Sequence, residues 1–208
     1  MPRTHKTTNS TRHRILTEAA LLFRRHGYRG TSTRQIAEAV GIKQPSLFHH
    51  FANKQAILEE LMAISLEESL AGAQRAAIAE GSAAQRLYDY VLWDLTTLHR
   101  LPFALSGIYA HDVLEDPALA TWSAKLEALY AALRSLIEQG IRSGEFRPVN
   151  PDLAQAMVAG VTFSHIDYSA EHAGGDPVEL GSEGAVFILS GLMRDPASLE
   201  RLVAAARL

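Results

Sequence analysis

Ser32-Thr33-Arg34-Gln35-Ile36-Ala37-Glu38-Ala39-Val40-Gly41-Ile42-Lys43-Gln44-Pro45-Ser46-Leu47-Phe48-His49-His50-Phe51 is the stretch that decides the fold. Ser32 and Gln35 have the spacing of a capping box: the serine hydroxyl accepts from the amide three residues on, and the glutamine side chain reaches back. The helix so opened is short, about 33–40, with Ile36, Ala37 and Val40 facing inward. Gly41 tolerates the positive φ of a helix end. Pro45 suits the first turn of a second helix, where its missing N–H would be unpaired anyway. That helix is expected to end near Phe51. Ala37 is small enough for two helices to cross, and Ile36, Val40, Ile42 and Leu47 can lock the corner. This is the helix-turn-helix pattern, whose second helix enters the major groove of DNA. Helix-glycine-helix corners also occur in many other folds.

The flanks extend the pattern. A preceding helix, about Thr11 to His26, carries Ile15, Ala19, Leu22 and Phe23 on one face, and Gly27 follows its last turn. Asn53 caps a long following helix from Lys54, with Ile57, Leu58, Leu61, Met62 and Leu66 as its buried stripe. Charge is divided unevenly. Residues 1–54 hold ten Lys/Arg against two acids, and residues 55–208 hold ten against 21, so the overall −3 combines +8 with −11. Such asymmetry suggests one part that meets a polyanion and one that does not. A solvated basic face, or an anionic membrane surface, would also suit it.

The rest of the chain reads as helix, giving an all-α fold. The expected segments are about 83–100, 103–113, 118–143, 151–171 and 183–207, with a loop at 172–177 and a break at Pro196. The boundary between an N-terminal unit, 1–53, and a helical remainder, 54–208, is expected at the start of the long helix. There is no cysteine, which excludes disulfides and thiol chemistry. No apolar run approaches the roughly 18 residues of a membrane span, and the start of the chain lacks the apolar stretch of a secretory signal. A cytoplasmic location is expected.

Residues 10–66 resemble the DNA-binding domain of the tetracycline-repressor (TetR) family. The resemblance lies in Gly27-Tyr28, Thr31 through Ala37, Gly41-Ile42, Gln44 through Phe51 and Asn53-Lys54. A weaker similarity runs from Gly140 to Pro148 and on through Asn150-Pro151-Asp152-Leu153. Lys43 replaces the usual Ser/Thr before the second helix, and Phe48 replaces the usual tyrosine. The resemblance implies a homodimer that binds a palindromic double-stranded operator, acts as a repressor and is released by a small-molecule effector.

The chemistry of the residues gives the implied roles content. Gln44 can pair bidentately with adenine, and Arg34 has the planar fork that reaches guanine. Pro45 offers an apolar edge to a thymine methyl. Thr31, Thr33, Lys43 and Ser46 are phosphate candidates. His49 and His50 can touch bases or phosphates, although one of the two must face away from the groove. Lys54, at a helix N-terminus, can hold a phosphate together with free backbone amides. Arg3, Lys6, Arg12 and Arg14 form a basic arm that can release counterions.

For the acidic remainder the resemblance implies a dimer interface made by the last two long helices. Leu153, Met157, Val161 and Ser164 form one stripe, and Ala185, Ile188, Leu189 and Leu192 another. Gly160 and Gly184 would permit close approach of helices. The same stripes can equally be intramolecular core. An effector pocket is expected among residues 83–171. Its candidate lining is Trp93, His99, Phe103, Tyr109, His111, Trp122, Phe163, His165 and Tyr168, a mixture that points to a neutral, moderately apolar ligand. His111 and Glu115 have metal-ligand spacing, but two ligands do not make a site, and no metal or cofactor is expected. No catalytic motif is present: no glutamate has histidine three residues later, and there is no Gly-x-Ser-x-Gly elbow, P-loop or dinucleotide fingerprint. The alternatives are a helical-bundle enzyme and a scaffold of the same fold that does not bind DNA.

Overall fold

A computed structural model describes residues 11–103, 105–171 and 175–206. Arg3 and Lys6 of the basic arm, and residues 172–174 of the loop at 172–177, lie outside the described residues. The described chain is helical throughout, with one isolated bridge between Phe146 and Met193.

Three helices make the N-terminal unit: α1 (Thr11–Gly30), α2 (Thr33–Val40) and α3 (Gln44–Phe48). α1 is interrupted at Gly27, whose φ of 73° is open to glycine at little cost. The capping box forms as the spacing predicts, with the Ser32 hydroxyl accepting from the Gln35 amide and the Gln35 side chain bonding the Ser32 amide. Gly41 closes α2 in the left-handed conformation at φ 74°. Ile15, Ala19, Phe23, Ile36, Ala37, Val40, Leu47 and Phe51 are all buried and hold the three helices together. α3 is shorter than expected. It stops at Phe48, after which the amides of His50 and Phe51 both turn back to the Leu47 carbonyl.

α4 (Lys54–Ile78) starts on the Asn53 cap and buries Ile57, Leu58, Leu61, Met62 and Leu66. It leaves the N-terminal unit and enters a bundle with α5 (Ala83–Leu98), α7 (Ala120–Ser143), α8 (Pro151–Glu171) and α9 (Pro177–Leu192). The short α6 (His111–Leu114) precedes α7, and α10 (Pro196–Ala206) packs on the end. Pro196 opens α10, as the expected break requires. α9 begins six residues earlier than the sequence suggests, because Asp176 caps it by accepting from the Val178 amide.

The expected helix at 103–113 is absent among the described residues, which here form turns leading into α6. Asp167 of α8 ties this segment to the bundle, its carboxylate accepting from the amides of Leu105 and Ser106. Gly107 in the same segment lies directly against α1: a Cβ there would stand 2.3 Å from the Arg24 nitrogen.

The Gly140–Pro148 stretch forms a structural clasp. The Phe146 ring covers Gly140 so closely that a Cβ would fall 2.2 Å from it. The Glu145 carboxylate accepts from the Ala83 and Ala84 amides and the hydroxyls of Ser82 and Ser143, capping the start of α5. These bonds hold its pKa below the usual carboxylate value against the opposing effect of burial.

Candidate nucleic-acid interface and effector cavity

The surface of the helix-turn-helix sorts its residues by exposure. Leu47 is buried, while Lys43, Pro45, Ser46, Phe48 and His49 are exposed and Gln44 is half-buried. His49 is exposed, while His50 is half-buried and its backbone carbonyl accepts from Arg12. Lys43 makes no side-chain cap, which matches its departure from Ser/Thr.

Gln44 is pre-positioned. Its Nε2 donates to the Thr33 hydroxyl at 2.9 Å, linking the first turns of α2 and α3. The amide oxygen and the second N–H remain suited to an adenine edge. Arg34 lies exposed on α2, where its Nε donates to Glu38 at 2.9 Å. Reaching a base would require exchanging that ion pair, which is exposed to water and screened by salt.

Two phosphate candidates turn inward. Thr31 is 2% exposed and its hydroxyl donates to the carbonyls of Leu22 and Gly27, tying off the end of α1. Lys54 donates to the carbonyls of Tyr28 at 2.5 Å and Thr31 at 2.7 Å, and its ammonium stands 4.3 Å from the centre of the Tyr28 ring. Desolvation lowers its pKa from the ordinary lysine value. Both residues therefore fasten the loop between α1 and α2. Two arginines of the expected arm are also engaged: Arg12 with Glu60 and the Phe51 ring, Arg14 with the Val40 carbonyl at the end of α2.

The bundle encloses a cavity of about 50 Å³ between α4, α5, α7, α8 and the 105–110 segment. Of the nine pocket candidates, Tyr109 and Phe163 line it, with ring centres 5.5 Å apart. The others lie elsewhere. Trp93 covers Gly72 on the outside of α5, where it is 38% exposed. Phe103 is core, and Trp122 is half-buried beneath the Lys125 ammonium. His111 is exposed, its Nε2 3.2 Å from the Glu115 carboxylate. His99 and His165 meet each other, Nε2 to Nδ1 at 2.9 Å, between α5 and α8. Burial and the neighbouring imidazole push the pKa of His99 down to about 4. Tyr168 points outward from α8.

Asp94, which no sequence signal marks, faces the cavity. It accepts hydrogen bonds from Ser69 and Tyr90, and burial pushes its pKa up to about 6.

The two apolar stripes behave differently. Ala185, Ile188, Leu189 and Leu192 are buried, although Ile188 and Leu192 also border the groove between α8 and α9, and Gly184 admits Leu95 of α5. A neighbouring glycine, Gly181, meets Thr96 and the Leu92 carbonyl of the same helix. Leu153, Met157, Gly160 and Ser164 are exposed, and Val161 is half-buried. With Tyr168, Phe187 and Gly191 they line an open apolar groove between α8 and α9.

An all-helical chain with a short exposed helix offered by a basic three-helix head defines a helix-turn-helix DNA-binding transcription regulator. The family model described as bacterial regulatory proteins, tetR family, matches residues 15–61. Across its length the chain is similar to the crystal structure of Mycobacterium smegmatis AmtR, at 33% identity and a TM-score of 0.75, covering 99% of this chain and 97% of that one. It is also similar to the HTH-type transcriptional repressor KstR2 of Mycobacterium tuberculosis, 24% identical over 201 residues, which is 94% of this chain and 99% of that protein. The HTH-type transcriptional regulator UidR of Escherichia coli K12 is 23% identical over 150 residues, covering 72% and 74%. The chain belongs to the TetR family of bacterial regulatory proteins.

Proposed function

We propose that this chain is a cytoplasmic, non-catalytic repressor. As a homodimer it binds a palindromic operator, and a small molecule held in the bundle releases it. Residues 1–53 read DNA, and residues 54–208 pair the subunits and sense the effector. The observation that carries the reading is the outward face of Gln44, Pro45, Ser46 and His49 at the end of a cationic unit. Gln44 is oriented by Thr33 for base contact, while Arg34, Lys43, Ser46 and Thr33 supply flanking contacts.

Dimerisation uses the uncovered face of Leu153, Met157, Gly160, Val161, Ser164, Tyr168 and Phe187. A two-fold pairing there matches this patch with itself and sets two heads on half-sites one or more helical turns apart. Repression is favoured by the named role of KstR2. Ligand drives release only by binding the DNA-incompetent form more tightly.

Selection of bound sequences from a random duplex pool tests the proposal. A palindromic motif is expected. Recovery of no enriched sequence at modest ionic strength would overturn it.

A further inference from the structure

Phe48 closes α3 with its side chain 45% exposed, although a phenyl ring has no polar group to offer water. The core of the N-terminal unit is filled without it: Leu47 is buried, and the buried Phe51 lies under the Arg12 guanidinium. Among the described residues, the Phe48 ring stacks on no other ring and faces no cation. A single exposed apolar side chain is ordinary on a protein surface, so exposure alone assigns it nothing.

Its place on α3 does more. Phe48 follows Pro45 by three residues and Gln44 by four, the two spacings that set helical side chains side by side. Gln44 is held by the Thr33 hydroxyl at the start of α3, and Pro45 is exposed. An apolar strip of proline and phenyl ring therefore runs beside the glutamine that is suited to a base. Residues 1–54 carry a charge of +8, which draws this strip onto a polyanion. The ring's chemistry narrows what it can meet there. The hydroxyl of a tyrosine at this position could donate to any phosphate, whatever the sequence. A phenyl ring cannot, and among the base edges of the major groove the apolar group is the C5 methyl of thymine.

We propose that Phe48 is a specificity-determining residue, its ring packing on the methyl of a thymine near the adenine read by Gln44. The inference rests on the DNA-reading role of α3 given above. Four residues of helix rise about 6 Å, and successive base pairs stand about 3.4 Å apart. The thymine therefore lies within about two base pairs of that adenine.

The test uses the operator recovered from the random duplex pool. Each thymine of one half-site is replaced in turn by deoxyuridine, which lacks only the methyl group. Affinity for the full chain is measured by fluorescence anisotropy. A loss of about fourfold, the worth of one buried methyl, is expected at one thymine within about two base pairs of the position where Gln44→Ala loses its preference. Phe48→Ala should bind the thymine and deoxyuridine duplexes alike at that position. Phe48→Leu, still apolar, should keep part of the difference. Should Phe48→Ala fail to fold, Phe48→Gln takes its place at this exposed position. A methyl effect that survives in the Ala variant belongs to another side chain and overturns the assignment. An unaltered protein that prefers its operator yet ignores every methyl also overturns it, and leaves the DNA-reading function standing. A protein that prefers no duplex refutes both.

Discussion

Replacing Lys54 by Met keeps most of the side-chain stem and removes the ammonium that bridges the carbonyls of Tyr28 and Thr31. A hydrogen bond to a charged group contributes about 1.5–3 kcal/mol net, and the contact with the Tyr28 ring about 0.5–1 kcal/mol. Lys54 is only half-buried. Water can therefore enter and satisfy one of the abandoned carbonyls, which brings the expected loss down to about 2 kcal/mol. For a chain of this length that corresponds to a fall in Tm of roughly 4–8 °C. Thermal unfolding at matched protein concentration measures it, since association makes Tm depend on concentration. The salt dependence of DNA binding is the companion measurement. If Lys54 only fastens the loop, the slope of log affinity against log salt should not change for the folded variant. A Tm within about 1 °C of the unaltered protein, with the slope reduced by about one unit, would refute the structural role and restore Lys54 as a phosphate contact.

Gln44→Ala should cost about 1–3 kcal/mol of binding at one base pair per half-site; anisotropy titrations against operators altered at single positions would show this, and equal losses on specific and scrambled DNA would argue against base reading. Asp94→Asn should stabilise the chain at pH 7.5. An acid whose folded pKa exceeds its unfolded value binds more protons when folded, so wild-type stability falls as pH rises from about 4 to about 6. Relieving that cost contributes on the order of 1–3 kcal/mol, and urea unfolding should show the gap between the two proteins narrowing toward pH 4.5. Phe187→Glu, at a position 67% exposed, should yield a monomer by light scattering with unchanged helical circular dichroism. A surviving dimer would move the interface elsewhere.

Where a feature depends on a few neighbouring backbone groups, the sequence displayed it directly. The Ser32–Gln35 box, the left-handed Gly41, the Asn53 cap and the break at Pro196 all formed where the spacing indicated. Direction was harder to read than identity. Thr31 and Lys54 are polar residues beside a DNA-reading element, and only the fold of the α1–α2 loop turns them inward. Apolar periodicity in α9 announced a buried face without saying what covers it. Gly181 and Gly184 let α5 take that place, so the uncovered face falls to α8 and the Phe187 side of α9. The segment 103–113 turns where a helix was expected, held by contacts distant in sequence: Asp167, about sixty residues on, and the α1 backbone against Gly107. Asp94 was silent for the same reason: its partner Ser69 belongs to another helix, and a single acid within an amphipathic segment reads as surface.

Gly107 carries a consequence for anyone recombining relatives of this chain. Its contact with α1 is main chain on main chain, with no side chain between that can rotate aside. An N-terminal unit transplanted from another protein would therefore have to match the helical bundle in backbone path at Phe23 and Arg24. In such a chimera the fit at this one seam, more than the length of the junction in α4, would decide whether the two parts stay coupled or merely stay attached.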